Sequence, residues 1–121
     1  MSKIMVLGGF GLIVVLIVVI FGVITEPKVN VDNLAECLTE KGVIMAGTDW
    51  CPACKAQKNE FGDAFDKINY KNCDYVEDWC LDNNISGFPT WVFPNGTQYR
   101  GVQNPAFLSQ IAGCEDGNRS S

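Results

Sequence analysis

Cys51 and Cys54 are the residues of this chain best suited to chemistry, because they form a Cys-x-x-Cys pair directly after Trp50. The apolar run 43–46 before the pair is typical of a short buried strand, and residues 54–66 have the apolar spacing of a helix. The pair therefore falls where a strand leads into a helix. A step of three residues places both sulfurs on one side of that helix, close enough to form a disulfide.

A cysteine at the start of a helix has a special environment. Its thiolate can accept hydrogen bonds from the unpaired N–H groups of the first turn, at the positive end of the helix dipole. Cysteines in such positions have pKa values of roughly 3.5–7.5 and are nucleophiles at neutral pH. Pro52 fits the first turn, since its missing N–H would have no partner there. We therefore expect Cys51 to be the attacking thiol and Cys54 the resolving thiol.

A zinc site is the main alternative for such a pair, and it would need a second pair of ligands. Cys73 and Cys80 could supply them, but six residues separate these two, more than zinc-ligand pairs usually show, and the chain has no histidine. The position between strand and helix also favours redox chemistry. The sequence therefore predicts a redox-active disulfide between Cys51 and Cys54, with no metal and no other cofactor.

Composition narrows the function classes further. The 121 residues suffice for one small domain with an appendage, and the net charge is −5. Residues 30–121 hold 13 acidic and 7 basic residues without a basic stripe, which argues against nucleic acid as a partner. Six cysteines, an even number in so short a chain, indicate an oxidising compartment.

The first residues predict a single transmembrane helix. Residues 4–24 are 21 residues without a charge, enough to span about 30 Å of bilayer as a helix. A cleaved signal peptide is the alternative, but its apolar region is shorter and 21–25 offers no small-x-small cleavage site. Lys3 before the span favours a cytoplasmic N-terminus and an extracytoplasmic domain. The predicted segments are an anchor (1–25), a tether (26–32), a domain (33–115) and a mobile tail (116–121).

The rest of the chain alternates helical and strand patterns. Asp32 or Asn33 is expected to cap the first helix, and Phe107, Leu108 and Ile111 are expected to face inward from the last one. The predicted helices are 33–40, 54–66 and 104–113, and the predicted strands are 43–46, 68–75, 90–93 and 97–100, while 77–83 is expected to be a short helix or a turn. This order predicts an α/β domain with helices on both faces of a sheet.

The motifs in combination resemble the thioredoxin superfamily over residues 33–114. They are Trp-Cys-x-x-Cys-Lys at 50–55, Ile-Ser-Gly-Phe-Pro-Thr at 85–90 and Phe-Pro-Asn-Gly-Thr at 93–97. The resemblance implies a thioredoxin-like fold, with a central mixed sheet flanked by helices. It also implies that Pro89 is cis and lies against the cysteine pair, although only about 5–6% of X–Pro bonds in folded proteins are cis.

The same resemblance implies a substrate groove beside the cysteines. Phe88 would line it through its backbone and pair with a client peptide in the manner of a strand. Trp50, Pro52, Ala53 and Pro89 complete the expected groove, with Trp50 both covering the disulfide and forming part of the docking surface.

More narrowly, the chain is similar to the thioredoxin-like domains that accompany vitamin K epoxide reductase (VKOR) homologues. The matching stretches are 37–42, 51–58, 61–62, 87–91 and 112–114. This similarity implies a membrane quinone reductase of the VKOR or DsbB type that re-oxidises the domain. The domain would then pass its disulfide to the thiols of newly exported proteins.

Two departures from the family bear on the direction of electron flow. Met45 stands where thioredoxin keeps a buried acid, which argues against fast reductase chemistry. Ala53 replaces the histidine that strong oxidants carry between their cysteines, which predicts a weaker oxidant than DsbA. We expect a potential between about −120 and about −270 mV. An anchored reductase of the cytochrome c maturation type and a non-catalytic binding module are the alternatives.

Four cysteines remain. Cys73 and Cys80 flank an acidic turn and are proposed to form a local bridge, and the related domains carry a similar second pair; an electron relay to the active pair is the alternative. Cys37 and Cys114 are proposed as a third bridge, or else as two buried thiols. Six cysteines allow many connectivities, and the sequence does not choose among them.

Overall fold

The computed structural model describes residues 28–114. The predicted anchor (1–25) and tail (116–121) lie outside the described residues. Within 28–114, none of the helices has the length and apolar character needed to cross a bilayer.

The described chain contains four α-helices, one 3₁₀ helix and four strands. In chain order they are α1 (Val31–Glu40), β1 (Ile44–Gly47), α2 (Pro52–Phe61), the 3₁₀ helix (Gly62–Lys67), β2 (Asn69–Asn72), α3 (Glu77–Asp82), β3 (Thr90–Val92), β4 (Gln98–Arg100) and α4 (Pro105–Ala112).

The strands form one mixed sheet in the order β2-β1-β3-β4. β1 runs parallel to β2 and antiparallel to β3, and β3 and β4 form an antiparallel hairpin. The predicted α/β fold, a mixed sheet flanked by helices, is confirmed. The central place of β1 matters most for function, because the chain leaves this strand directly into the cysteine pair.

β1 separates two apolar clusters, since neighbouring residues of a strand point to opposite faces. Met45 lies in the larger cluster with residues of α1, α2, β3 and α4, and Ala46 lies in a smaller one with Cys73 and Cys80. Phe88 packs against both clusters. The loop before β3 is therefore tied to both faces of the sheet.

The structure differs from the expected boundaries at the first two helices. α1 begins at Val31, because the Asn30 side chain caps it by accepting a hydrogen bond from the Asn33 N–H at 3.2 Å. The end of the predicted tether thus belongs to the domain, and Val29 packs against the core. α2 ends at Phe61, where Gly62 adopts a φ of 58° and a 3₁₀ helix follows.

Candidate functional site

Cys51 is the N-cap residue of α2, and this position organises the site. Its backbone is extended, with φ −75° and ψ 121°, and Pro52 occupies the first helical turn. The Cys51 Sγ accepts a hydrogen bond from the Cys54 N–H at 3.2 Å. This bond holds the Cys51 sulfur against the first turn of α2. Both cysteines are free and buried.

Cys54 lies one turn into the helix and is completely inaccessible to solvent. The backbone of Gly47 passes so close that a Cβ there would lie 2.8 Å from the Cys54 Sγ, which only glycine avoids. Burial, and then the hydrogen bond with Cys51, raises the pKa of the Cys54 thiol from 9.0 to about 11. The Thr48 backbone N–H and the positive charge of Lys58 act in the opposite direction. Cys54 is therefore a neutral thiol in the reduced protein at neutral pH.

Phe88 and Pro89 lie beside the pair, and the peptide bond between them is cis. The Cys51 thiol faces the Phe88 carbonyl oxygen at 3.7 Å. Pro89 is buried, and its own carbonyl accepts a hydrogen bond from the Gly101 N–H at 2.7 Å. An incoming chain that reaches Cys51 would therefore meet the backbone of Phe88.

Trp50 forms the exposed part of this surface. Its side chain is 63% exposed and its ring meets Phe88 edge-on, with centroids 6.3 Å apart. The Trp50 Nε1 donates a hydrogen bond to the Asp74 Oδ2 at 2.9 Å, so a residue from the loop after β2 holds the indole in place. Of the other expected groove residues, Pro52 is exposed and Ala53 is half-buried against the core. Asp74 was not expected from the sequence.

Asp49, Lys58 and Tyr70 form a cluster of polar side chains near the cysteine pair. Lys58 Nζ is 3.2 Å from Asp49 Oδ1, and the same oxygen accepts a hydrogen bond from the Tyr70 hydroxyl at 3.2 Å. The Lys58 ammonium also lies 4.4 Å from the centroid of the Tyr70 ring. The hydrogen bond from Lys58 lowers the pKa of Asp49, and burial, followed by the charge of Asp49, raises the pKa of Tyr70. The four-residue spacing between Cys54 and Lys58 is the feature of the sequence from which the position of Lys58 near the cysteine pair could have been predicted.

A buried glutamine connects the active-site helix to the sheet. Gln57 is fully buried, and its Oε1 accepts hydrogen bonds from the Trp91 Nε1 at 3.0 Å and the Gln103 N–H at 2.7 Å. Its amide nitrogen donates to the Gln103 carbonyl at 2.9 Å. These bonds fix α2 against β3 and the loop after β4.

The other four cysteines form two disulfides, Cys37–Cys114 and Cys73–Cys80, with Cα atoms 6.1 and 5.8 Å apart. These are the two pairings proposed from the sequence. The Cys73 N–H donates to the Gly47 carbonyl at 2.8 Å, so the second disulfide adjoins the strand that leads to the active pair. In the part of the chain from 28 to 114, no three His, Cys, Asp or Glu side chains are grouped so that they could hold a metal ion.

No known family profile matches the chain. It is similar to a protein of Schizosaccharomyces pombe that is named as a protein disulfide-isomerase, with 35% identity over 89 residues, covering 65% of this chain and 18% of that protein. It is also similar to the thiol-disulfide oxidoreductase LTO1 of Arabidopsis thaliana, with 34% identity over 89 residues, covering 66% of this chain and 23% of LTO1. The chain thus spans about a fifth of the length of these two relatives.

The comparison with solved structures finds two thioredoxins among the matches. The Plasmodium falciparum thioredoxin is 21% identical, with a TM-score of 0.47, covering 60% of this chain and 82% of that one. The poplar thioredoxin h is 19% identical, with a TM-score of 0.45, covering 69% of this chain and 85% of that one. The chain therefore has a mixed β-sheet flanked by helices, with a cysteine pair at the start of α2, and it is similar in sequence to a protein named as a protein disulfide-isomerase and to a thiol-disulfide oxidoreductase.

Proposed function

We propose that the protein is a membrane-anchored, extracytoplasmic thiol–disulfide oxidoreductase that donates disulfides to exported proteins. The observation that carries the proposal is the position of Cys51, which caps α2, accepts a hydrogen bond from the Cys54 N–H and faces the Phe88 carbonyl. A thiolate there is stabilised as a nucleophile or leaving group. The names of the two sequence relatives agree with this chemistry.

The donation of a disulfide proceeds in two exchanges. A client thiolate attacks the Cys51 Sγ of the oxidised pair, forms a mixed disulfide, and releases Cys54 as a thiolate that takes up a proton. A second client thiolate then attacks the client sulfur of the mixed disulfide and releases Cys51. The client loses two electrons and two protons, and the pair gains them as two thiols.

Two features favour the oxidising direction. Met45, fully buried on β1, stands where thioredoxin has an acid that would speed the reductase reaction. The disulfides Cys37–Cys114 and Cys73–Cys80 suit an oxidising compartment.

The anchor and the redox partner rest on the sequence. Residues 4–24 are long and apolar enough for one membrane span, and Lys3 favours a cytoplasmic N-terminus. The resemblance to domains that accompany VKOR homologues makes a VKOR- or DsbB-type quinone reductase the proposed acceptor of the two electrons. Proteoliposomes that contain the full chain, such a reductase and quinone should form quinol only when a reduced client is added.

An activity comparison separates the candidate functions. The full chain and its Cys51→Ser variant are assayed for oxidation of a reduced client and for reduction of insulin. We expect wild-type oxidation to exceed insulin reduction, Cys51→Ser to lose both, and equilibration with glutathione to give a potential between about −120 and about −270 mV. A potential below that of thioredoxin would identify a reductase. Equal activity of Cys51→Ser and wild type would leave only a binding module.

A further inference from the structure

The exchange between Cys54 and Cys51 has a requirement that the helix start does not meet. Cys54 must be a thiolate whenever its bond to Cys51 forms or breaks, yet it is completely buried. The strand beneath it presents Met45, which has no charge and cannot accept a proton. The Thr48 backbone N–H favours the charged form of Cys54, and a nearby positive charge would add to this effect. This reasoning rests on the function proposed above.

Lys58 is placed to do so. It follows Cys54 by four residues on α2, and side chains with this spacing lie on one face of a helix and lean towards its N-terminus. Its side chain is 27% exposed, so its charge is only partly screened by solvent. Tyr70 lies near the same sulfur. If Gly47 carried a Cβ, that atom would lie 2.8 Å from the Cys54 Sγ and 3.4 Å from the Tyr70 Cε1.

The neighbours of Lys58 hold it in this place. Asp49, in the turn between β1 and α2, contacts the ammonium at 3.2 Å, and the face of the Tyr70 ring lies 4.4 Å from it. The charged and titratable groups around Cys54 are thus Cys51, Asp49, Lys58 and Tyr70, while the carboxylate of Asp74 is bound to the Trp50 indole. Lys58 is the cation of this group.

We propose that Lys58 is a positioning residue for disulfide exchange: held by Asp49 and Tyr70, it keeps a positive charge beside Cys54 and stabilises the Cys54 thiolate. In the resolving direction Cys54 loses its proton to water and attacks the Cys51 Sγ, and the client sulfur leaves as a thiolate. In the donating direction the client thiolate attacks Cys51, and Cys54 leaves as the stabilised thiolate before it is protonated. The direction in which Lys58 acts on the pKa of Cys54 agrees with this role.

The test measures the reactions of Cys51 and Cys54 as two kinetic phases of a single experiment. The full-length chain is reduced until only two thiols can be alkylated, then mixed with 5,5′-dithiobis(2-nitrobenzoate). Attack by Cys51 releases one thionitrobenzoate and leaves the other bound to Cys51. Attack by Cys54 then releases the second and closes the disulfide. Stopped-flow absorbance follows both phases from about pH 6 to 10.

We expect Lys58→Gln to slow the second phase about three- to tenfold at pH 7 and to move its pH profile upwards, with the first phase unchanged. Lys58→Arg should restore the second phase, because it keeps the charge. Lys55→Gln, which removes an exposed lysine from the same helix, is the matched control and should behave as wild type. Circular dichroism confirms that each variant is folded.

Two results would overturn the proposal. The first is that the second phase of Lys58→Gln has the same rate and pH profile as the second phase of Lys55→Gln. This result would leave the proposed oxidoreductase function intact. The other is a wild-type protein that releases no second thionitrobenzoate, which would remove the proposed function as well.

Discussion

The two structural disulfides should contribute unequally to stability, and the difference follows from the length of chain that each one closes. Cys37 and Cys114 are 77 residues apart, whereas Cys73 and Cys80 are 7 apart. In the chain-entropy description, these loops correspond to about 4.5 and about 2.4 kcal/mol at 25 °C. Replacing both cysteines of a pair by alanine should therefore cost about 2 kcal/mol more for Cys37–Cys114.

Packing does not cancel this difference. Cys73, Cys80 and Cys114 are buried, at 8%, 5% and 4% exposure, whereas Cys37 is only partly buried, so alanine does not remove more buried sulfur contact from Cys37–Cys114 than from Cys73–Cys80. The assay is guanidinium unfolding of the oxidised full-length chain, followed by circular dichroism and by the fluorescence of its three tryptophans, all of which lie in the described domain. A Cys73→Ala/Cys80→Ala variant at least as unstable as Cys37→Ala/Cys114→Ala would refute the entropic reasoning.

Three further predictions concern the buried groups around α2. Because burial raises the pKa of Cys54 to about 11, the reduced protein keeps this contribution to its stability below about pH 9 and loses it as the pH rises through about 11. The oxidised protein lacks the titrating thiol and should lose less stability over the same range in parallel thermal scans. Gln57→Leu leaves the Trp91 Nε1–H and the Gln103 N–H without their acceptor and should cost about 2–4 kcal/mol in guanidinium unfolding; a loss below 1 kcal/mol would contradict this. Gly47→Ala forces a Cβ against the Cys54 Sγ and should cost about 1–3 kcal/mol in the same measurement, and an unchanged midpoint would contradict the close approach.

The sequence predicts the active pair well because its signals are local. An apolar run, a break, a Cys-Pro pair and a helical pattern lie within one continuous stretch, and the structure has Cys51 at the N-cap of α2. The start of α1 is harder to predict, since Asn30, Asp32 and Asn33 are all good capping residues. The structure selects Asn30, and Val29 and Val31 pack against the core.

The expected inward face of the last helix is only partly correct. Leu108 is fully buried, but Phe107 is 37% exposed and packs edge-on against Tyr99, with ring centroids 5.7 Å apart. Ser109 is buried instead, near the end of the helix, where its carbonyl accepts the Cys114 N–H at 2.7 Å. The Cys37–Cys114 bridge joins this end to α1, and such a tertiary constraint cannot be read from the apolar spacing of one helix.

The groups that surround the cysteines were missed for a related reason. Asp74 reaches Trp50 across 24 residues, and Tyr70 reaches Asp49 across 21. Both contacts exist because β2 pairs in parallel with β1: Tyr70 lies in β2 beside the strand that leads to Asp49, and the loop after β2 brings Asp74 to the turn that follows β1. Charged residues in loops are ordinarily solvated, and only the strand order shows which of them lie together.

The chemistry of the pair follows from the contrast between its two sulfurs. Cys51 caps α2, and its Sγ accepts a hydrogen bond from the Cys54 N–H, whereas Cys54 lies one turn into the helix, where burial opposes a charge. Cys51, which faces the Phe88 carbonyl beside the exposed Trp50, is therefore the thiol that a client meets first, and Cys54, which has no exposed surface, reacts only with a mixed disulfide on Cys51. A partly exposed lysine suits this arrangement, since its screened charge can favour the Cys54 thiolate during exchange without holding Cys54 ionised in the resting protein. A carboxylate in place of Met45 could take the proton directly and would speed resolution. Under the proposed function, its absence from β1 slows the attack of Cys54 on the mixed disulfide, which would release the client still reduced, and leaves more time for a second client thiol to collect the disulfide.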